Sequence, residues 1–312
     1  MKRFLINSFL FGTIFLTIVL LLFRLSDKIA ERFWGPNTRN QIEMSFKNAL
    51  SSKASCWFLG NSRIYRINPE MIENEHWYNF AHDNDSYNQM YYKLQYLLDN
   101  GCKIDTLVIG TDYFQFSVFS DTRNYIYDDL LGIDYIKDYN NLFLKEKLNN
   151  FKKALITKQT AFNQTVIEVA KLLTGEYKSY QVPYLRDNGS YYRDIEEAKE
   201  NDTTKRDTTI LNIQKKYFEQ IIKKCKDNGI ELFVLMMPVR NNELQNYSNK
   251  YITFFNGMIN NRLEKYGFKG RYFNMSNNPD FKDYKKYTDI THLNSKAAGE
   301  FTKIMYEELF KH

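Results

Sequence analysis

Ile230-Glu-Leu-Phe-Val-Leu-Met-Met237 is apolar almost throughout, and this pattern narrows the fold class at once. A strand with one face in water alternates apolar and polar residues, whereas a strand covered on both faces does not. The run therefore predicts a strand buried in a sheet with helices on both sides. Immediately upstream, a helical pattern from about Thr209 to Asp227 stops at Asn228-Gly229, as a helix C-cap should. Downstream come a helix around 243–265, a short strand near Arg271–Asn274 and a last helix from about 294 to 310.

The same alternation holds toward the amino terminus. Cys56-Trp-Phe-Leu-Gly60, Trp77-Tyr-Asn-Phe-Ala81 and Ile104–Gly110 read as strands. Between the last two, Tyr87 to Leu98 has helical spacing and ends at Asn100-Gly101. Strands alternating with helices predict an α/β protein, a three-layer α/β/α arrangement with a mostly parallel sheet. About ninety residues, 117–206, interrupt this rhythm without a clear strand and read as a helical and loop insertion beside the functional face. Its tyrosines 177, 180, 184, 191 and 192 suit sugar stacking and core packing equally.

Phe4 to Phe23 is a run of 20 residues without a charge. As a helix it is roughly 30 Å long, the thickness of a bilayer's hydrocarbon core. Lys2 and Arg3 precede it, which predicts a single-pass anchor with the amino terminus inside. No small-residue cleavage site follows, so a retained anchor is expected rather than a removed leader. Residues 24–53 read as an amphipathic stem broken at Gly35-Pro36, and 54–312 as the globular domain.

The 312 residues carry a net charge of +6 from scattered Lys and Arg, without the dense basic block of a nucleic-acid module. No nucleic-acid partner is expected. Cys56, Cys102 and Cys225 form no CxxC pair, and the chain has only four histidines, so no metal site is expected. Cys56 and Cys102 leave two readings open, a disulfide or two buried thiols.

Two short segments carry chemistry. Gly60-Asn61-Ser62-Arg63 follows the first strand, where ligands bind in open α/β sheets. Gly60 permits the tight exit, and the Ser62 amide can help hold an oxyanion. Asp289-Ile-Thr-His292 lies in the loop before the last helix, which Asn294 or Ser295 can cap. A three-residue separation lets Asp289 reach one ring nitrogen of His292 and leaves the other for a serine hydroxyl. Each motif alone is weak. Together they map to one edge of the sheet.

In this combination the chain resembles the SGNH/GDSL hydrolases, whose fold is flavodoxin-like. Gly-Asn-Ser-Arg with Asn68-Pro69 a few residues on, Gly110-Thr-Asp112-Tyr-Phe114 after the third strand, and Met237-Pro238 look closest to its membrane-anchored branch. That branch includes proteins that transfer D-alanine to lipoteichoic acid and O-acetyltransferases of alginate-type polysaccharides. The resemblance covers 55–115 and 230–310. It implies Ser62 as nucleophile, His292 as general base and Asp289 as its orienter, with no cofactor. It further implies a cell-envelope O-acyltransferase or acyl esterase with an extracytoplasmic catalytic domain on the cytoplasmic membrane. A polysaccharide or glycolipid would accept the acyl group, and an integral membrane O-acyltransferase would be the partner. The family's oxyanion donors are a Gly and an Asn, but here the second block, 79–84, lacks the Gly, and Asp112 stands where Asn is common. Asn79 and Asn84 are the candidate donors, with Gly60 and Asn61 of the Ser62 loop as further oxyanion or substrate candidates. Asp112 is expected to fix its loop by hydrogen bonds. Arg63 is a candidate for an anionic acceptor, with a surface salt bridge as the alternative. From another functional class, an inactive anchored module that binds glycan or scaffolds an assembly fits the same sequence.

Overall fold

The apolar run at the centre of the reading is strand β4, Glu231–Met236, buried at every position after Glu231. It belongs to a five-stranded sheet with β1 (Cys56–Leu59), β2 (Trp77–Asn79), β3 (Thr106–Thr111) and β5 (Tyr272–Asn274), in the order β2-β1-β3-β4-β5. Every neighbouring pair is parallel; Cys56 is opposite both Trp77 and Thr106, and Thr106 is opposite Glu231. All strands therefore end at one edge. The computed structural model describes residues 2–34, 38–73, 76–83, 85–117, 174, 186–192, 198–200 and 208–310, with side chains at all of these except 19 and 22–43. By compactness the chain divides into two units, one of Met1–Glu43 with Gly132–Pro183, the other of Met44–Leu131 with Tyr184–His312.

Strand parity sorts the core of the second unit. Cys56, Phe58, Trp77, Val108, Phe233 and Leu235 share one cluster with Ala297, Ala298, Phe301, Met305 and Leu309 of the last helix, Ser295–Phe310. The intervening residues belong to the opposite face. There Trp57 meets Tyr78 and Phe80, and Phe46 packs edge-on to Phe80 at 4.9 Å. Phe46 lies on helix α2, Thr38–Ser51, so the end of the expected stem packs on the domain. Helices α3 (Tyr87–Asp99) and α4 (Asn212–Asp227) join through the hydroxyls of Tyr92 and Tyr217, 2.7 Å apart.

The helix expected around 243–265 is two helices. A short α5, Asn241–Leu244, precedes α6, Asn249–Lys265. The break follows from Ser248, whose side chain accepts from the Tyr251 amide and starts a new helix. The final helix is α7, and Asn294 is its cap, accepting from Ala297 N at 2.9 Å. The three cysteines are free thiols, Cys56 and Cys225 buried.

In the first unit, α1 runs Lys2–Trp34, with side chains described at 2–18, 20 and 21. Among the described residues no helix is long and apolar enough to cross a membrane. The 117–206 insertion lies almost wholly outside the described residues, as do tyrosines 177, 180 and 184. Its returning end, 186–192, covers the open side of β2: Asn79 N donates to Asn188 O at 2.8 Å. Gly189 is required there, because its φ is +80° and a Cβ would stand 2.1 Å from the Asn79 carbonyl oxygen.

Two other glycines seat the loop that follows β1. A Cβ on Gly60 would meet Ile64 Cγ1 at 2.5 Å, and one on Gly110 would meet the same atom at 2.1 Å. Ile64 thus lies directly on the backbone of two neighbouring strands. Gly110→Ala is expected to destabilise the protein by about 1–3 kcal/mol through this overlap. Gly257→Ala in α6, where the space is open, is expected to stabilise it by about 0.5–1 kcal/mol. Urea unfolding of the two variants beside the parent checks the opposite signs.

Candidate active site

The chain leaves β1 through Gly60, whose carbonyl accepts from His82 N at 3.1 Å. Asn61 O accepts from Tyr65 N at 3.0 Å, turning the backbone into the 3-10 turn Ile64–Arg66. Ser62 is half-buried at the tip. Among the described residues its amide N–H forms no hydrogen bond.

The other half of the site is a narrow loop from Tyr287 to Leu293, which pair as an antiparallel bridge. Thr288 N donates to His292 O at 2.9 Å, and Asn294 N donates to Lys286 O at 2.9 Å. Inside the loop, Asp289 Oδ1 accepts from the amides of Thr291 and His292 at 2.7 and 2.9 Å. Its Oδ2 takes the His292 Nδ1–H at 2.7 Å. His292 Nε2 then lies 2.7 Å from Ser62 Oγ. With Nδ1 donating to the carboxylate, the lone pair of Nε2 faces the hydroxyl, the tautomer that proton abstraction needs.

Burial works to raise the Asp289 pKa. The hydrogen bond and charge of His292, with the two amides, outweigh it and hold the carboxyl well below the usual carboxylate range. The carboxylate thus stays ionised and can stabilise an imidazolium.

The structure therefore brings Ser62, Asp289 and His292 together from positions up to 230 residues apart. The remaining candidates lie differently. Both N–H groups of Asn79 are committed, to Ile64 O at 2.8 Å and Ile67 O at 2.9 Å. Neither is left for an oxyanion. Asn84 lies outside the described residues. Asn61 is buried and donates to Asp112 and Gln115. Arg63, only 4% exposed, pairs with Asp112 at 2.9 Å and with Glu243; its charge is held inside the fold, not at the surface. Burial works against that charge, and the carboxylates of Asp112 and Glu243 prevail, raising its pKa. His82 is half-buried, its ring 5.8 Å from that of Tyr65.

Glu243 and Gln115 escape sequence reasoning. Nothing in the spacing links 63 with 243 or 61 with 115, and a buried acid looks like any surface acid in the sequence. No family model matches this chain, and no curated protein matches it in sequence.

A carboxyl with a depressed folded pKa contributes stability above its unfolded value near 4, and that contribution fades as pH falls through the folded pKa. Asp289→Asn is therefore expected to be less stable than the parent at pH 7, with a gap that narrows steadily below about pH 4. Denaturant unfolding of both proteins at pH 7, 5 and 3 checks it; a gap constant with pH would sink the assignment.

Proposed function

We propose that this chain is a serine-dependent acyl-transfer enzyme of the SGNH/GDSL type, an O-acyltransferase or acyl esterase of the cell envelope. The observation that carries the reading is the unbroken line from Asp289 Oδ2 through the His292 ring to Ser62 Oγ, with both contacts at 2.7 Å. It stands at the carboxyl edge of an all-parallel sheet, where substrates bind in such folds.

The chemistry follows from the geometry. Ser62 Oγ attacks the acyl carbonyl carbon while its proton passes to His292 Nε2, and Asp289 stabilises the resulting imidazolium. The unpartnered Ser62 amide is one donor for the oxyanion. Collapse of the tetrahedral adduct expels the leaving group, which takes the proton from His292, and leaves an acyl ester on Ser62. A sugar hydroxyl or water, deprotonated by His292, then attacks that ester and frees the serine. Transferase and esterase differ only in this second nucleophile, a polysaccharide or glycolipid hydroxyl in one case and water in the other. An inactive glycan-binding module would have no need of the Ser62–His292 contact, so the enzyme reading is preferred.

The uncharged run Phe4–Phe23 behind Lys2 and Arg3 supports a single-pass anchor in the cytoplasmic membrane. The amino terminus would lie inside, with the catalytic domain extracytoplasmic. An integral membrane O-acyltransferase is the partner that would hand over the acyl group.

The full chain is expected to hydrolyse an aryl acetate, with Ser62→Ala and His292→Ala each reducing kcat by at least about 10³-fold. Mass spectrometry of the quenched reaction should find the acyl group on the peptide containing Ser62. Equal rates in the parent and Ser62→Ala would remove this serine from the mechanism.

A further inference from the structure

The nucleophile is flanked by two buried side chains that reach the same carboxylate. Asn61 Nδ2 donates to Asp112 Oδ2, and Arg63 Nη1 pairs with Asp112 Oδ1 at 2.9 Å. Asn61 and Arg63 are also joined to each other, Arg63 N donating to Asn61 Oδ1 at 3.0 Å. The other Nη of Arg63 bonds Glu243, on the short helix α5 that follows β4, and Asn61 Nδ2 also reaches Gln115 Oε1 at 3.0 Å. Asn61, Arg63, Asp112 and Glu243 are between 1 and 5% exposed. We infer that Asp112 is a positioning residue for the nucleophile, holding both chain neighbours of Ser62 and so fixing where its hydroxyl stands, with Arg63 extending the hold to Glu243. This rests on the serine-enzyme reading above.

Two physical arguments support it. Buried ion pairs recover their desolvation only with good geometry and are weak stabilisers, so stability alone is a poor reason for four polar side chains here. Their arrangement does fit a geometric task. Ser62 has no ladder partner, being past the end of β1, and among the described residues its side chain hydrogen-bonds only to His292. Its position is set by the residues on either side, and both end on one carboxylate. Asp112 stands at the end of β3, the strand paired with β1, so the loop is referred to the sheet itself. A displacement of about 1 Å at the nucleophile is enough to cost about 10²-fold in rate.

The test uses the full chain, with aryl acetate turnover and the rate of Ser62 labelling by a fluorophosphonate. Asp112→Asn keeps volume and an acceptor for Arg63 but sets an amide donor against Asn61 Nδ2. Its expected effect is a fall in kcat of about 10–100-fold with KM within about threefold, and a matching fall in labelling rate. Adding Asn61→Asp exchanges donor and acceptor across the pair, though it also turns a carboxylate toward Gln115 Oε1. The expected recovery is therefore partial, at least about fivefold of kcat, a rescue that a merely structural role would not give. If Asp112→Asn does not fold, Glu243→Gln, which leaves the Asn61 contacts alone, should lower kcat about three- to fivefold at unchanged KM. Parental kcat in the folded variant, or a loss that the exchange leaves unrecovered, overturns the inference while parental turnover keeps the enzyme reading intact. Absence of both turnover and labelling in the parent removes that reading, and the inference with it.

Discussion

Ile64 resting on the bare backbone of Gly60 and Gly110 is the contact from which the rest of the site follows. The chain must leave β1, turn back over the sheet and still present residue 62 outward. A side chain on either glycine would lift the turn, because the space is already filled to below van der Waals distance. With the turn seated, the carbonyls of Ile64 and Ile67 come within reach of Asn79 on the neighbouring strand. Asn61 and Arg63 come within reach of Asp112 on the other side. The nucleophile's loop is thus braced from both adjacent strands, by a neutral amide on one side and a buried ion pair on the other.

The histidine loop is built on a different plan. It is braced mostly by its own backbone: the bridge between Tyr287 and Leu293, the Asp289 carboxylate over two amides, and Asn294 capping α7. One carboxylate therefore shapes the loop with Oδ1 and orients the ring with Oδ2. The local sequence contains nearly everything needed for that arrangement. This is why a three-residue spacing before a helix is informative.

That contrast explains what could be read from the chain. The apolar run of β4, the Gly-Asn-Ser exit and the Asp-x-x-His loop have local causes, and their places in the structure follow the sequence reading. The break between α5 and α6 is also local, but Ser248 sits within apolar spacing that continues on both sides and hides it. The partners of Arg63 and Asn79 were not legible, since hydrogen bonds across 12 to 180 residues leave no period in the sequence. Asn79 was a reasonable donor by type, and only the nearness of two carbonyls shows its protons committed. Arg63 looked like a ligand for an anion, yet both anions it meets are the protein's own.

The segment 186–192 has a consequence beyond its own contacts. An edge strand with free amides is a template on which a second polypeptide can add a strand. By pairing Asn188 to Asn79 and laying Gly189 flat on β2, the protein occupies that template with its own chain. A second polypeptide arriving at this flank would find the Asn79 amide already taken and the glycine turn lying in its way.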